Sequence, residues 1–455
     1  MVFMTQDCSS NPRRQVAQLA WPLILSNITV PLLGLVDTAV MGHLPDPRYL
    51  GGVTLGAVLF SFLFWGFGFL RMGTTGLTAQ AYGRADQQAV FRLFLQSLLL
   101  AVGIGLVLVV LHPILIPLGL ALLNGSEAVT AQADIYARIR ILSAPAVLAN
   151  YVLIGWFLGR GVSRVTLLLM VVNNLINIVL DLVFVLVLGM ATAGVAAASV
   201  IADYLTMLLG LSLALGVWRQ SGWMKISGVL RDAAGYRQLL SVNSALFIRT
   251  LCLLFAFAFF HSQGAQLGDI TLAGNAVLLQ FVLLASYGLD GFAHAIESVV
   301  GRAVGAADRL NYQRVIRAGF EWSLATAFTL SACFWLFGEA LIAVLTDLPA
   351  VREQARMYLS WMVVMPIVAA FAYLLDGIFI GATRTREMRN TMLLSVFLVY
   401  LPLWWVTQPL GNHGLWLSFI VFNAARGVFL GAIFIRDWRR LSQQVDGHSA
   451  PRFPP

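Results

Sequence analysis

Twelve apolar stretches, each long enough to cross a bilayer, constrain this chain more than any other feature. A membrane span needs about 20 apolar residues at roughly 1.5 Å of rise each. On that basis the spans fall at 15–41, 52–79, 91–120, 132–158, 165–187, 192–217, 238–263, 271–300, 315–346, 352–380, 389–407 and 413–436. Hydrophobic residues make up 59% of the chain and charged residues 11%. An ordinary globular protein carries about 25% charged residues, so too few remain here to build a water-facing surface. Segments of about ten alternating residues, the signature of an outer-membrane barrel, do not occur. The first stretch is too long for a cleaved signal peptide and has no small-residue cleavage site after it. The expected fold class is an all-α polytopic membrane protein with twelve transmembrane helices.

The formal charge of +8 is spread along the chain rather than gathered into a patch, which argues against nucleic-acid binding. With the N-terminus in the cytoplasm, 21 of the 29 basic residues fall on the cytoplasmic side. They include Arg13 and Arg14, Arg160 and Arg164, and Arg302, Arg309, Arg314 and Arg317. The opposite connections hold little beyond Arg48 and Arg352, with Arg138, Arg140 and Arg356 assigned to adjoining helix starts. By the positive-inside rule both termini are cytoplasmic. Cys8, Cys252 and Cys333 have no metal or redox spacing and read as small packing residues.

The two halves repeat. Ala81-Tyr-Gly-Arg-Ala-Asp86 answers Ala303-Val-Gly-Ala-Ala-Asp308 at a displacement of 222. Pro145 answers Pro366 at 221, and Gly194 to Asp203 answers Gly414 to Asn423 at 220. Three agreeing displacements in order predict a duplication of a six-span unit. An even number of spans makes both copies enter from the same side, so a pseudo-two-fold along the membrane normal should relate two six-helix bundles. The predicted organisation is a cytoplasmic tail at 1–14, a bundle at 15–217, a cytoplasmic linker at 218–237, a second bundle at 238–436 and a cytoplasmic tail at 437–455. Two such bundles suit alternating access, which points to a transporter.

A charge at bilayer depth costs roughly 3 kcal/mol even on insertion scales, so each intramembrane acid is a functional candidate. Asp37, Asp181 and Asp203 lie in the outer half of the first bundle, whereas the second-half counterparts are Ala258, Pro402 and Asn423. The repeat is symmetric in scaffold and asymmetric in charge. Asn174, Asn177 and Asp181 are spaced i, i+3, i+7 on one helix face, and Ser199 and Asp203 form an i, i+4 pair. Two carboxylates close together at low dielectric cannot both ionise comfortably, so such a group can load and release a proton. Carboxylate and amide oxygens at Asp37, Asn177 and Asp181 would equally suit Na⁺. In the second half Asp290, His294 and Glu297 share a face at i, i+4, i+7, and Asp376 sits beyond Pro366. These read either as a second cation site or gate, or as local ion pairs, for instance with Arg249. Arg71 and Arg426 read as snorkelling or paired structural residues. Pro22 and Pro31 each permit a kink in the first span. No phosphate-binding loop G-x-x-x-x-G-K-[ST], catalytic triad or metal-ligand cluster occurs, so no cofactor, no ATP-driven step and no enzymatic activity are expected.

Three long stretches carry a family resemblance: Ser26 to His43 (SNITVPLLGLVDTAVMGH), Arg71 to Gln80 (RMGTTGLTAQ) and Asp376 to Asn390 (DGIFIGATRTREMRN). Together with the residues above, they make the chain similar, along essentially its whole length, to the multidrug and toxic compound extrusion (MATE) family, in its DinF-like branch. The resemblance implies an inner-membrane antiporter that exports organic, often cationic compounds against inward H⁺ or Na⁺. It also implies that Asp37, Asn177 and Asp181 form an N-terminal cation pocket, that Pro22 is a hinge for bending of the first helix, and that Asp376 matches an acid which NorM-like relatives use for cations. Those relatives pair that acid with a glutamate in the seventh helix, and this seventh span has none. That departure favours protons coupled through the first bundle. The expected partners are small organic substrates and the lipid bilayer, with the chain a monomer. The alternatives are Na⁺-coupled efflux or a lipid-linked sugar flippase of the related superfamily.

Overall fold

The computed structural model describes residues 11–42, 46–123, 125–221, 229 and 232–443. Every regular element among them is helical. Eleven helices of 24 to 37 residues are long and apolar enough to cross a membrane: Pro47–Gly83, Gln87–Val110, Glu127–Gly159, Ser163–Val187, Ala191–Arg219, Ala233–Gln266, Asp269–Gly305, Arg309–Leu345, Pro349–Gly381, Thr385–Leu410 and Asn412–Arg439. The first predicted span lies in a further helix, Pro12–Gly42, of 31 residues. They are called here the first to twelfth helices, with Pro12–Gly42 the first. The terminal tails at 1–10 and 444–455 and most of the predicted linker lie outside the described residues.

One span differs from the sequence expectation. The third, predicted to run unbroken through 91–120, stops at Val110, turns at Leu111 and resumes as a short apolar helix, His112–Leu123. Pro113 has no N–H to give to the Val109 carbonyl, and His112 Nδ1 lies 2.7 Å from that oxygen instead. The fifth and eleventh helices each change pitch within the span. After Asp181 the fifth widens into a π-helical segment, Leu182–Val187, where Leu188 N–H donates to Val183 O. The eleventh does the same at Ser395–Tyr400. Such widened turns are rare and recur at functional sites.

The described residues form two compact units, one built from 25–82 and 86–243, the other from 11–24, 83–85 and 244–443. Residues 11–24 of the first helix therefore belong to the second unit, and residues 233–243 of the seventh to the first. In the second unit Gly291 packs directly against Ile24, leaving no room for a Cβ. In the first, Gly73 packs in the same way against Asn243.

The duplicated motifs fold alike at a spacing of 222. Ala85 and Ala307 both take a left-handed backbone, φ 57° and 54°, and the next residue caps the following helix. Asp86 accepts from Ala89 N–H and Asp308 from Asn311 N–H, each at 2.9 Å. The same displacement relates Gly161 to Thr383 and Gly189 to Gly411, all four at positive φ. Helix packing repeats as well. In the first unit Gly155 and Gly159 of the fourth helix press onto the backbone carbonyls of Arg71 and Thr75. In the second, Gly377 and Gly381 of the tenth press onto those of Ala293 and Glu297. All four residue pairs are again 222 apart. A Cβ on any of these glycines would come within 2.7 Å of a carbonyl oxygen, so the close crossing requires glycine.

Candidate cation-coupling site

In the first unit the polar face of the fifth helix is spread over two neighbours. Asn174 Nδ2 donates to Thr29 Oγ1 of the first helix at 2.8 Å, and Thr29 in turn donates to Ser26 O at 2.7 Å. One turn on, Asn177 Nδ2 donates to Ser199 Oγ of the sixth helix, also at 2.8 Å. That bond fixes the amide and leaves Asn177 Oδ1, a buried acceptor, with no hydrogen-bond partner. Asp181 follows one turn later, is 0% exposed, and is the last residue before the π-helical segment. The structure thus joins Asn177 to Ser199, leaves Asp181 buried one turn further along the same helix, and ties Asn174 to the first helix about two turns before Asp37. The Asp37 side chain lies outside the described residues.

Asp203 has a different setting from the carboxylate pair expected for it. Its side chain accepts from Arg140 of the fourth helix at 2.5 Å, and Arg140 also donates to Ser143. The Asp203 backbone carbonyl accepts from Asn150 at 3.0 Å. Arg140, expected at a helix start, lies inside the fourth span, its guanidinium 5.4 Å from the Phe64 ring centre. An arginine at that depth needs a counter-charge, and Asp203 supplies it. The buried charge set is therefore less acidic than the sequence suggests. The signal was available: Arg140 falls about two turns inside the predicted 132–158 stretch, where a lone cation is costly.

In the second unit the two readings left open for Asp376 separate. Asp376, 7% exposed, bonds to Arg249 of the seventh helix and to Arg426 of the twelfth, the latter at 2.7 Å. Arg426 also donates to Asn423 at 3.0 Å and lies 5.7 and 6.0 Å from the ring centres of Phe422 and Tyr373. Two guanidinium groups hold the Asp376 carboxylate, which is the opposite of a cation-ligating arrangement. The predicted pairing of Arg249 is present, and Arg426, expected to be snorkelling or paired, is paired. Asp290, His294 and Glu297 share one face of the eighth helix as expected; Glu297 is 0% exposed, and Asp290 and His294 are half-buried. Pro22 sits inside the first helix, three residues before the chain passes from the second unit to the first at Leu25. Among the described residues no group of three or more His, Cys, Asp or Glu side chains is placed to hold a metal ion.

Comparisons with known proteins agree with this architecture. The family model MatE matches twice, at residues 22–183 and 245–406, two stretches of equal length displaced by 223. DNA damage-inducible protein F of Escherichia coli K12 is 48% identical over 425 residues, covering 92% of each chain. A probable multidrug resistance protein NorM of Thermotoga maritima is 24% identical over 418 residues, covering 90% of this chain and 89% of its own. Among solved structures, one described as MATE in the bent conformation superposes with a TM-score of 0.84 at 20% identity, covering 95% of this chain and 98% of the other. The family match spans most of the chain, and the fold is the two-bundle fold of those transporters. This chain belongs to the MatE family of multidrug and toxic compound efflux transporters.

Proposed function

We propose that the protein is a secondary antiporter of the bacterial inner membrane, with both termini cytoplasmic, that exports lipophilic organic cations in exchange for inward protons. One observation carries the choice of coupling group: fully buried Asp181 lies one turn from Asn177, whose carbonyl oxygen is an open acceptor. A protonated carboxyl has a hydroxyl to donate to such an acceptor; an ionised one does not. On this reading the protonation state of Asp181 decides whether it can turn a donor toward that acceptor. Asn174 ties the same face to Thr29, so a change at Asp181 has a direct route to the helix that carries Asp37. Pro22, just before the junction of the two units, is a reasonable place for that helix to bend, in line with the similar transporter described as bent. Ser199 and Asn174 act as positioning residues, and the Asp203–Arg140 pair is structural.

The magnitudes are adequate. One proton moving inward gains about 2.3 kcal/mol per 100 mV, and about 1.4 kcal/mol more per unit of pH gradient. For a neutral substrate exchanged one for one, the sum of about 3.7 kcal/mol supports a gradient of several hundredfold. A monovalent cationic substrate exchanged one for one would use the pH gradient alone. The test is efflux from proteoliposomes under an imposed pH gradient, an imposed Na⁺ gradient, or neither. The reading expects transport with the pH gradient and in the absence of Na⁺. Transport that requires Na⁺ and ignores pH would assign the same oxygens to sodium instead.

A further inference from the structure

The start of the ninth helix carries basic groups that transport chemistry does not use. A cavity of about 390 Å³ in the second unit is lined by Arg13 of the first helix and by Leu310, Gln313, Arg314, Arg317 and Glu321 of the ninth. Arg13 grips the Glu321 carboxylate with two bonds, Nε to Oε2 at 2.6 Å and Nη2 to Oε1 at 2.8 Å. The Arg13 carbonyl accepts from Trp322 Nε1 at 3.1 Å, and Trp322 stacks on Phe292 with ring centres 5.7 Å apart. This wall of the cavity is therefore held in place. Glu321 is neutralised by Arg13, and Arg314 and Arg317, both exposed, make no ion pair among the described residues. Three guanidinium groups against one carboxylate leave two positive charges facing one cavity.

The position of this cavity selects its ligand. Both contributing helices enter the membrane here, the first from residue 15 and the ninth from residue 315 by the sequence reading, so the cavity lies at the membrane surface. Leu310, on the same lip, is 66% exposed, an apolar side chain presented beside the charges. A soluble anion would gain nothing from it, whereas an amphipathic molecule with a phosphate at one end would use both. We propose that this cavity binds the headgroup phosphate of an anionic phospholipid, with Arg314 and Arg317 taking the phosphate oxygens, Gln313 donating to the headgroup and Leu310 lying along the first methylenes of the acyl chains. Guanidinium groups suit phosphate because they present paired donors in a plane. Basic pockets between helices at the cytoplasmic surface recognise anionic lipid by this chemistry. That the leaflet is the cytoplasmic one rests on the orientation proposed above; the binding itself does not. Because Arg13 both anchors the start of the first helix and lines the cavity, an occupied site reinforces that anchor.

The test is native mass spectrometry of the full chain from micelles containing equal amounts of phosphatidylglycerol and phosphatidylcholine, a medium without sidedness. The wild-type protein is expected to retain phosphatidylglycerol in preference. Arg314→Gln with Arg317→Gln should reduce that retention on the order of thirtyfold, the loss of two surface cations. Arg389→Gln, which removes a cation that bonds Asn390 and does not line the cavity, should leave it unchanged. A melting temperature equal to wild type in the double variant would tie the loss to the site rather than to the fold. Equal retention of the two lipids, or retention unaffected by the double variant, would overturn the proposal. Displacement of the lipid by millimolar inorganic phosphate would also overturn it, marking a site for a soluble phosphate.

Discussion

Asp181 and Asp376 are buried acids, one in each unit, and their surroundings differ. One turn from Asp181 lies an amide held by a serine hydroxyl, with its carbonyl oxygen left open. Around Asp376 stand two guanidinium groups from two other helices. The scaffolds beneath them are copies, down to four glycine contacts and three left-handed turns repeating at 222 residues. Duplication has kept the backbone geometry, where any change would create a clash, and has let the side chains inside it diverge. A carboxylate whose charge is compensated by fixed cations has little reason to take up a proton. We propose that the proton is exchanged at the acid of the first unit, and that the Asp376 carboxylate of the second serves its two arginines.

Removal of each acid should separate the two most sharply. Asp376→Ala leaves Arg249 and Arg426 buried without their counter-charge, and should cost about 3–5 kcal/mol of stability, read from unfolding in detergent. Asp181→Asn should cost little by the same measurement, since it deletes a buried charge and keeps the shape. If Asp376→Ala instead stayed fully stable and lost only coupling, the contrast between the units would fail. Arg140→Gln comes next, at about 3 kcal/mol, because it strands Asp203. The double change Arg140→Met with Asp203→Leu should recover most of that loss, and no recovery would mean that Asp203 has a role besides pairing. Asn177→Ala breaks the bond to Ser199 and should cost only about 1 kcal/mol, while weakening proton-coupled efflux more than stability. The smallest effect concerns the scaffold. Ala85→Gly and Ala307→Gly each relieve a left-handed alanine, and each should raise stability by about 0.5–1 kcal/mol. Unequal shifts would show that the two turns are not equivalent.

Much of this was legible in the sequence, for physical reasons that also explain the omissions. Span positions follow from apolar run length alone, and the repeat follows from short motifs that turn out to be helix caps and left-handed turns. The Gly-x-x-x-Gly pairs at 155 and 159 and at 377 and 381 were equally readable as close helix crossings. Partners across helices were harder, because spacing along one helix says nothing of which neighbour a side chain meets. Asn174 and Asn177 share a face yet bond to different helices. Spacing alone groups Asp203 with Asp181, whereas its partner is Arg140 of another helix. The break at Leu111 was marked by Pro113, whose missing N–H was overridden by the apolar run around it.

We propose that buried Asp181 carries the coupling proton. Asp181→Asn, reconstituted in proteoliposomes with a pH gradient imposed across the membrane, tests it most directly. The account predicts a folded protein that still binds substrate but neither exports it in response to the gradient nor dissipates the gradient when substrate is added. Wild-type proton-coupled export by that variant would contradict it.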